Sequence, residues 1–537
     1  MDLELIRHLR ADLRAADYRS AAVRGLLGED ADAARRRGVF VPAARALAER
    51  DASPLATLIR VFLLGEAVSA ELLDAALPTL GAQGARELEL VADTPAGLRA
   101  ALSLNPEMVP DARADTPPEW WILSDLDDQL RRGPARPDHV MGVGGATRSL
   151  IAQAPTSDAA LSLDLGTGCG IVALHLALRG GRVIATDISD RALRLAAANA
   201  VLNRMEHAIE FRRGSLLAPV AGERFDLILS NPPFVITPRT GDGPVYEYRD
   251  GGLVGDALAA AVVREAPAAL TPDGTLLCLA NWETPWGGNG LQRVGEWLAA
   301  AAVPLTAWVI ERDRVSPAQY AETWARDGGA RPGSAEFDAL LTAWLDDFAA
   351  RRIVAIGLGS IRIRREDAAA REHTGPDHAV PDHAVPDHTA ESVIHVEQAT
   401  GAWSEDALGQ ALERAFAAGS TAARFSDAEV LAHRWLVSDS VAEERVHDPG
   451  SDAPRAITLV TDRPIARRVM ADPLLAAAVG ASDGDLTLGQ IADALAQLLE
   501  VAPAAARAAV VAGARELAWL GMLRPALPDE VDDPANQ

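Results

Sequence analysis

The stretch Leu161–Leu193, LSLDLGTGCGIVALHLALRGGRVIATDISDRAL, decides the fold. An apolar run closes on Asp164, Leu165 and Gly166, and Gly168 and Gly170 then open a helical pattern, so the backbone can turn sharply and a ligand can approach where a side chain would clash. A second apolar run, RVIATD, ends at Asp187, 21 residues after Gly166. At that interval an acid reaches a ribose diol, and a carboxylate can accept both of its hydroxyl hydrogens. Glycine turns close many strands, so the loop alone carries little; the acid in register with it points to a nucleotide-type site.

Outward from this stretch, from about Asp138 to Arg365, short apolar runs alternate with helical ones. LSLDLG, RVIATD, FDLILSN, TLLCLAN, LTAWVIE and IVAIGLGSIRI are the expected strands, and VALHLALRG, RALRLAAANAVLN and GDALAAAVVREAPAAL lie between them as helices. Strands separated by helices imply a parallel sheet with right-handed crossovers, covered on both faces. The expected class is therefore α/β, a doubly wound domain over 138–365.

After FDLILS come Asn231, Pro232, Pro233 and Phe234. An amide or exocyclic amine is a poor nucleophile because its lone pair is delocalised. A site alkylating it must hold the nitrogen in line with the electrophile and favour its developing positive charge. The Asn231 side-chain oxygen and the Pro232 carbonyl can accept two N–H bonds, consecutive prolines stiffen the loop, and the Phe234 ring offers a flat wall.

D-L-G-T-G-C-G, followed by T-D-I-S and later by S-N-P-P-F, resembles the class I S-adenosylmethionine-dependent methyltransferases of the N-P-P-[YF] branch, which includes release-factor glutamine methyltransferases and small-domain ribosomal-RNA methyltransferases. The resemblance implies a Rossmann-like sheet of seven strands with a final antiparallel one, S-adenosylmethionine over the strand ends, and methyl transfer to a planar nitrogen. It implies that Asp164, Gly166, Gly168 and Gly170 line the methionine and sugar, that Asp187 holds the ribose, and that Ile188 lies along the adenine. Many relatives carry an acid after the third strand; here Gly214-Ser215-Leu216 stands, and Ser215 offers one weaker hydrogen bond. Asn231, Pro232 and Phe234 become the catalytic corner, with Asn231 also beside the cofactor and Pro233 against the substrate.

Downstream, Tyr246 and Tyr248 in VYEYRDGG are candidates for the substrate rim, with a solvated loop as the alternative. Upstream, 138–146 is a glycine-rich lead into the sheet that can fold over the cofactor. Sulfonium chemistry needs no thiol, so Cys169 reads as a small filler, and His139 has no partners at metal-ligand spacing. No metal site is expected.

Residues 1–118 read as a mostly helical domain: LATLIRVFLLG and VSAELLDAALPTL keep apolar residues at helical intervals. A helical cap is favoured over a winged-helix DNA reader, because no arginine cluster marks a recognition helix. A connector occupies 119–137, with a strand expected over Trp120–Leu123. Residues 366–390 hold the repeat PDHAV, PDHAV, PDHT, whose prolines and histidines form no core and read as a linker rather than a metal site. An α+β, winged-helix-like domain is expected over 391–528, and an acidic tail over 529–537.

The 537 residues suit about three domains, and 49% apolar with 24% charged residues excludes global disorder. A formal charge of −25 removes the basic footprint of a general nucleic-acid binder, and no residue is lysine. Two cysteines make no disulfide framework, charges interrupt the first residues, and no long uncharged apolar span occurs, so a cytoplasmic protein without a membrane is expected.

The acceptor stays open between two classes. The N-P-P-F corner serves glutamine amides in some relatives and adenine or guanine amines in others. Phe234 stands where glutamine-directed members typically have tyrosine and draws the chain toward RNA guanine methylation, whereas D-I-S and F-D-L-I-L-S-N stay nearer the protein-directed group. The negative charge counts modestly against a polyanion, so a protein or ribosomal substrate is favoured, with nucleic acid the alternative. A non-catalytic, cofactor-binding regulator is the reading of another class; the intact corner beside intact loop glycines argues against it.

Overall fold

The computed structural model describes residues 1–50, 52–109, 117–131, 136–239, 251–367 and 392–527. Tyr246, Tyr248, the PDHAV repeat and the acidic tail lie outside them. The chain divides into two compact units, the first made of 1–151, 158–304 and 313–381, the second of 152–157, 305–312 and 382–537.

The first unit begins with helices. Leu3–Ala15 is capped by Asp2, whose carboxylate accepts the Glu4 and Leu5 N–H groups, and it buries Ile6, Leu9 and Leu13 on one stripe. In the apolar segment expected as one helix, Pro54–Leu58 passes into a π-helical turn, Ile59–Leu63, before Ala70–Ala76. Strands follow: β1 (Val91–Thr94) and β2 (Gly97–Ala100) form a hairpin, and β3 (Leu102–Met108) pairs antiparallel with β4 (Glu119–Asp125), which contains the strand expected at Trp120–Leu123.

The central sheet of this unit comprises β5 (Leu161–Leu165), β6 (Arg182–Asp187), β7 (Ile209–Arg213), β8 (Phe225–Ser230), β9 (Leu270–Pro285) and β11 (Ile353–Arg365). Their order is β11-β9-β8-β5-β6-β7, parallel except for β11, which runs antiparallel to β9. This is an α/β, Rossmann-like sheet. β5, β6 and β8 bury nearly every residue, as strands covered on both faces must, and Ile171–Ala177 is buried along its whole length. Six strands of the sheet lie in this unit, and the expected strand LTAWVIE lies in β10 (Leu305–Val315), most of which belongs to the second unit. β7 shows no apolar run because its sequence, IEFRR, forms an edge strand with one buried residue.

β4 is fastened to the central layer by two asparagines one helical turn apart on Asp190–Leu202 and its C-cap. Asn199 accepts the Leu123 N–H at 2.8 Å and donates to the Leu123 carbonyl at 2.9 Å; Asn203 does the same for Trp121 at 2.9 and 2.8 Å. Each side-chain amide therefore stands in for a neighbouring strand.

In the second unit β10 and β12 (Val393–Gln398) pair in parallel. β13 (Arg434–Val437) lies between β17 (Asp483–Thr487) and β18 (Leu523–Pro525), and β15 (Pro454–Thr461) lies between β14 (Val441–His447) and β16 (Arg467–Ala471). Helices Leu488–Leu498 and Pro503–Trp519 pack with Trp435 in its core. No described helix in either unit is long and apolar enough to cross a membrane.

Candidate active site

The carboxyl ends of β5, β6 and β8 lie side by side at one edge of the parallel sheet, where ligands of such folds bind. Leaving β5, the chain takes positive φ at Gly166 (+82°) and Gly168 (+53°), with open space where each Cβ would stand. Gly170, at φ +88°, is different: a Cβ there would meet the Ala196 Cβ at 2.9 Å, so this glycine serves packing against the next helix. The Gly166 and Thr167 N–H groups both donate to the Thr186 carbonyl, at 3.0 and 2.9 Å, which ties the loop to the end of β6.

Two acids flank the loop. Asp164 is buried, accepts the Thr167 hydroxyl at 2.6 Å, and has its carboxyl pushed up to about 7, chiefly by desolvation. Asp187 accepts the Gly168 N–H on Oδ2 and the Ser189 N–H on Oδ1, both at 2.9 Å, and burial raises its pKa as well. Beside it Ile188 is 53% exposed, an apolar ledge. The Gly214 N–H donates to the Asp187 carbonyl at 2.9 Å, so the turn carrying the exposed Ser215 sits next to this acid.

The Asn231–Phe234 corner leaves β8 at the same edge. Ser230 donates its hydroxyl to the Leu165 carbonyl at 2.8 Å, joining the ends of β8 and β5. Asn231 donates its Nδ2–H to the Thr147 hydroxyl at 3.1 Å, while its Oδ1 is buried and has no partner among the described residues. Pro232 is buried, and Pro233 and Phe234 are half-buried. The Phe234 ring meets Trp324 edge to face, with centroids 6.4 Å apart. The two tyrosines expected at the substrate rim fall outside the described residues.

Several residues that shape this site carry no motif. Thr147, on Gly145–Gln153, orients Asn231 and directly follows the glycine-rich lead, the one signal that could have found it. Tyr320, fully buried, accepts the Ile236 N–H at 2.9 Å and the Asn281 Nδ2–H at 2.8 Å, and Trp344 donates its indole N–H to the Ile236 carbonyl at 2.7 Å. These bonds anchor the chain just past the corner. Cys169 is buried with its thiol pushed up to about 12, as befits a filler; no described residues form a group of three or more metal-ligating side chains, and the buried His139 is pushed toward its neutral form by desolvation.

Residues 141–292 match the family model described as methyltransferase small domain, and 15–101 match a domain of unknown function (DUF7059). Among curated relatives, the chain is 34% identical over 148 residues to the ribosomal protein uL3 glutamine methyltransferase of Bradyrhizobium diazoefficiens, covering 26% of this chain and 46% of the relative. It is 35% identical over 161 residues to the release factor glutamine methyltransferase of Xylella fastidiosa (28% and 57%), and 44% identical over 123 residues to that of Deinococcus radiodurans (21% and 43%). The chain thus spans about half the length of these relatives. Residues 141–292 resemble the class I S-adenosylmethionine-dependent methyltransferases.

Proposed function

We propose that the first unit transfers a methyl group from S-adenosylmethionine to a planar nitrogen, the side-chain amide of a glutamine in a protein of the translation apparatus. The observation that carries this reading is the Asn231 Oδ1: a buried carbonyl oxygen without a partner costs roughly 1–3 kcal/mol, and an incoming N–H removes that cost. The relatives' names supply the kind of acceptor.

The residues fit the cofactor. The Cβ-sized spaces at Gly166 and Gly168 admit a ligand against the backbone, each Asp187 oxygen keeps a lone pair for a ribose hydroxyl, and Ile188 gives the adenine an apolar face. Ser215 is assigned the adenine side, and Asp164, Gly166, Gly168 and Gly170 are assigned the methionine and sugar, with Gly170 also packing against the next helix. When bound, S-adenosylmethionine supplies an electrophilic methyl on a sulfonium centre. Asn231 Oδ1 and the Pro232 carbonyl accept the two N–H bonds of the amide, Pro233 and Phe234 flank its plane, and the nitrogen is held with one face toward that methyl. Proton loss follows transfer, so no base is needed beforehand. In this reading β11 is the final antiparallel strand of a seven-stranded sheet, residues 1–118 and 391–528 are accessory domains, and the enzyme works in the cytoplasm.

The test is incubation with methyl-labelled S-adenosylmethionine and a lysate divided into protein, RNA and DNA. Label is expected in protein, on glutamine, and Asn231→Ala should lower transfer by about 100-fold or more while cofactor affinity holds. Label in RNA or DNA would transfer the reading to nucleic-acid amines, the direction in which Phe234 points. Unchanged transfer by Asn231→Ala would remove Asn231 from the mechanism.

A further inference from the structure

The second unit contains a cavity of about 300 Å³ that the proposed methyl transfer does not use. Its apolar lining includes Leu412, Ala415, Leu436, Ile465 and Trp308. Four of its lining residues are arginines, Arg414, Arg463, Arg467 and Arg524, against one acid, Asp439, in a chain whose formal charge is −25. Arg467 spends its charge on Glu397, to which its Nη2 donates at 2.9 Å. Arg414 and Arg463 are exposed and make no ion pair among the described residues. Like charges gathered in one concavity repel one another, and an anion that enters relieves the repulsion. A second observation points the same way. Trp308 is 0% exposed and its indole N–H has no acceptor among the described residues, a donor left unsatisfied on a residue that lines the cavity.

We propose that this cavity binds a small organic anion with a flat apolar body: its phosphate or carboxylate head is held by Arg414 and Arg463, and its ring is laid on the apolar lining near Trp308. The volume falls at the small end of ligand sites, which suits a compact molecule rather than a folded partner. Arginine forks match both head groups, so the probes must separate the contribution of the head from that of the ring.

The experiment uses the full chain and calorimetry with 1-naphthyl phosphate, 1-naphthoate, inorganic phosphate and neutral 1-naphthol. One naphthyl anion is expected to bind per chain, with inorganic phosphate and naphthol at least tenfold weaker. The preferred head group is whichever naphthyl anion binds more tightly. Arg414→Ala and Arg463→Ala, both at exposed positions, should each weaken that binding about tenfold, and Trp308→Phe should weaken it without changing the stoichiometry. Equal binding of naphthol, or affinity unchanged in the double arginine variant, would overturn the proposal, as would a naphthyl anion that fails to saturate. Retained S-adenosylmethionine binding in the arginine variants separates this outcome from any failure of the first unit's site.

Discussion

Thr147 and Asn231 lie 84 positions apart in sequence, yet the Asn231 amide donates to the Thr147 hydroxyl at 3.1 Å, and this bond decides which end of the amide is left for an acceptor. With Nδ2 engaged, Oδ1 is the end without a partner among the described residues, the polarity an incoming N–H requires. Thr147→Val keeps the shape and removes the hydroxyl, so the amide can turn over. We expect kcat to fall about tenfold with the Kd for S-adenosylmethionine unchanged, measured by single-turnover transfer and calorimetry; unaltered kcat would show that Thr147 does not orient the corner.

Asp187 holds the Gly168 N–H with one oxygen and the Ser189 N–H with the other. Asp187→Ala removes both braces together with the ribose acceptors, so cofactor affinity should drop at least tenfold. Wild-type affinity by calorimetry would refute the ribose assignment.

The Asp164 carboxyl is raised from 3.8 to about 7 by burial. Because its folded pKa lies above its unfolded one, the folded chain binds more protons between those values. The stability it contributes is complete below about pH 4 and is lost as pH rises through about 7. Asp164→Asn removes this titration. The stability difference between wild type and variant should therefore shift against the wild type by on the order of a few kcal/mol between pH 4 and pH 8, read from urea unfolding at each pH. A constant difference across that range would place the proton elsewhere.

Asn199 is fully buried, and besides gripping Leu123 it donates to the Cys169 carbonyl at 2.8 Å. Asn199→Leu leaves the Leu123 N–H and two carbonyls without partners. We expect a loss of about 2–4 kcal/mol in denaturant unfolding, larger than for Asn203→Leu, whose position is only half-buried. Equal losses would mean that the bond to Cys169 adds nothing.

The parts legible in the sequence were those where one local rule dominates. The runs ending at Leu165, Asp187 and Ser230 are strands buried on both faces, and burial on both faces forces unbroken apolar composition. The loop glycines announced themselves because positive φ leaves few other choices. What stayed hidden depends on distant pairing. Thr147, Tyr320 and Asn199 act through hydrogen bonds to residues 30 to 84 positions away, and no periodicity marks them. The π turn at Ile59–Leu63 was hidden for a related reason: its apolar residues suit an α-helix equally well.

The pair Asn199 and Asn203 reads only backbone atoms of β4, so the side chains of Trp121 and Leu123 can be exchanged without undoing the joint. Because Asn199 also grips the carbonyl of Cys169, between Gly168 and Gly170, the amino-terminal strands and the glycine turn share one fastening. Loading that turn with a ligand therefore also protects β4 from exchange with solvent. A chain trimmed to begin beyond residue 125 would lose the protein partners of both asparagines in β4, and its glycine turn would loosen although every residue of the turn is still there.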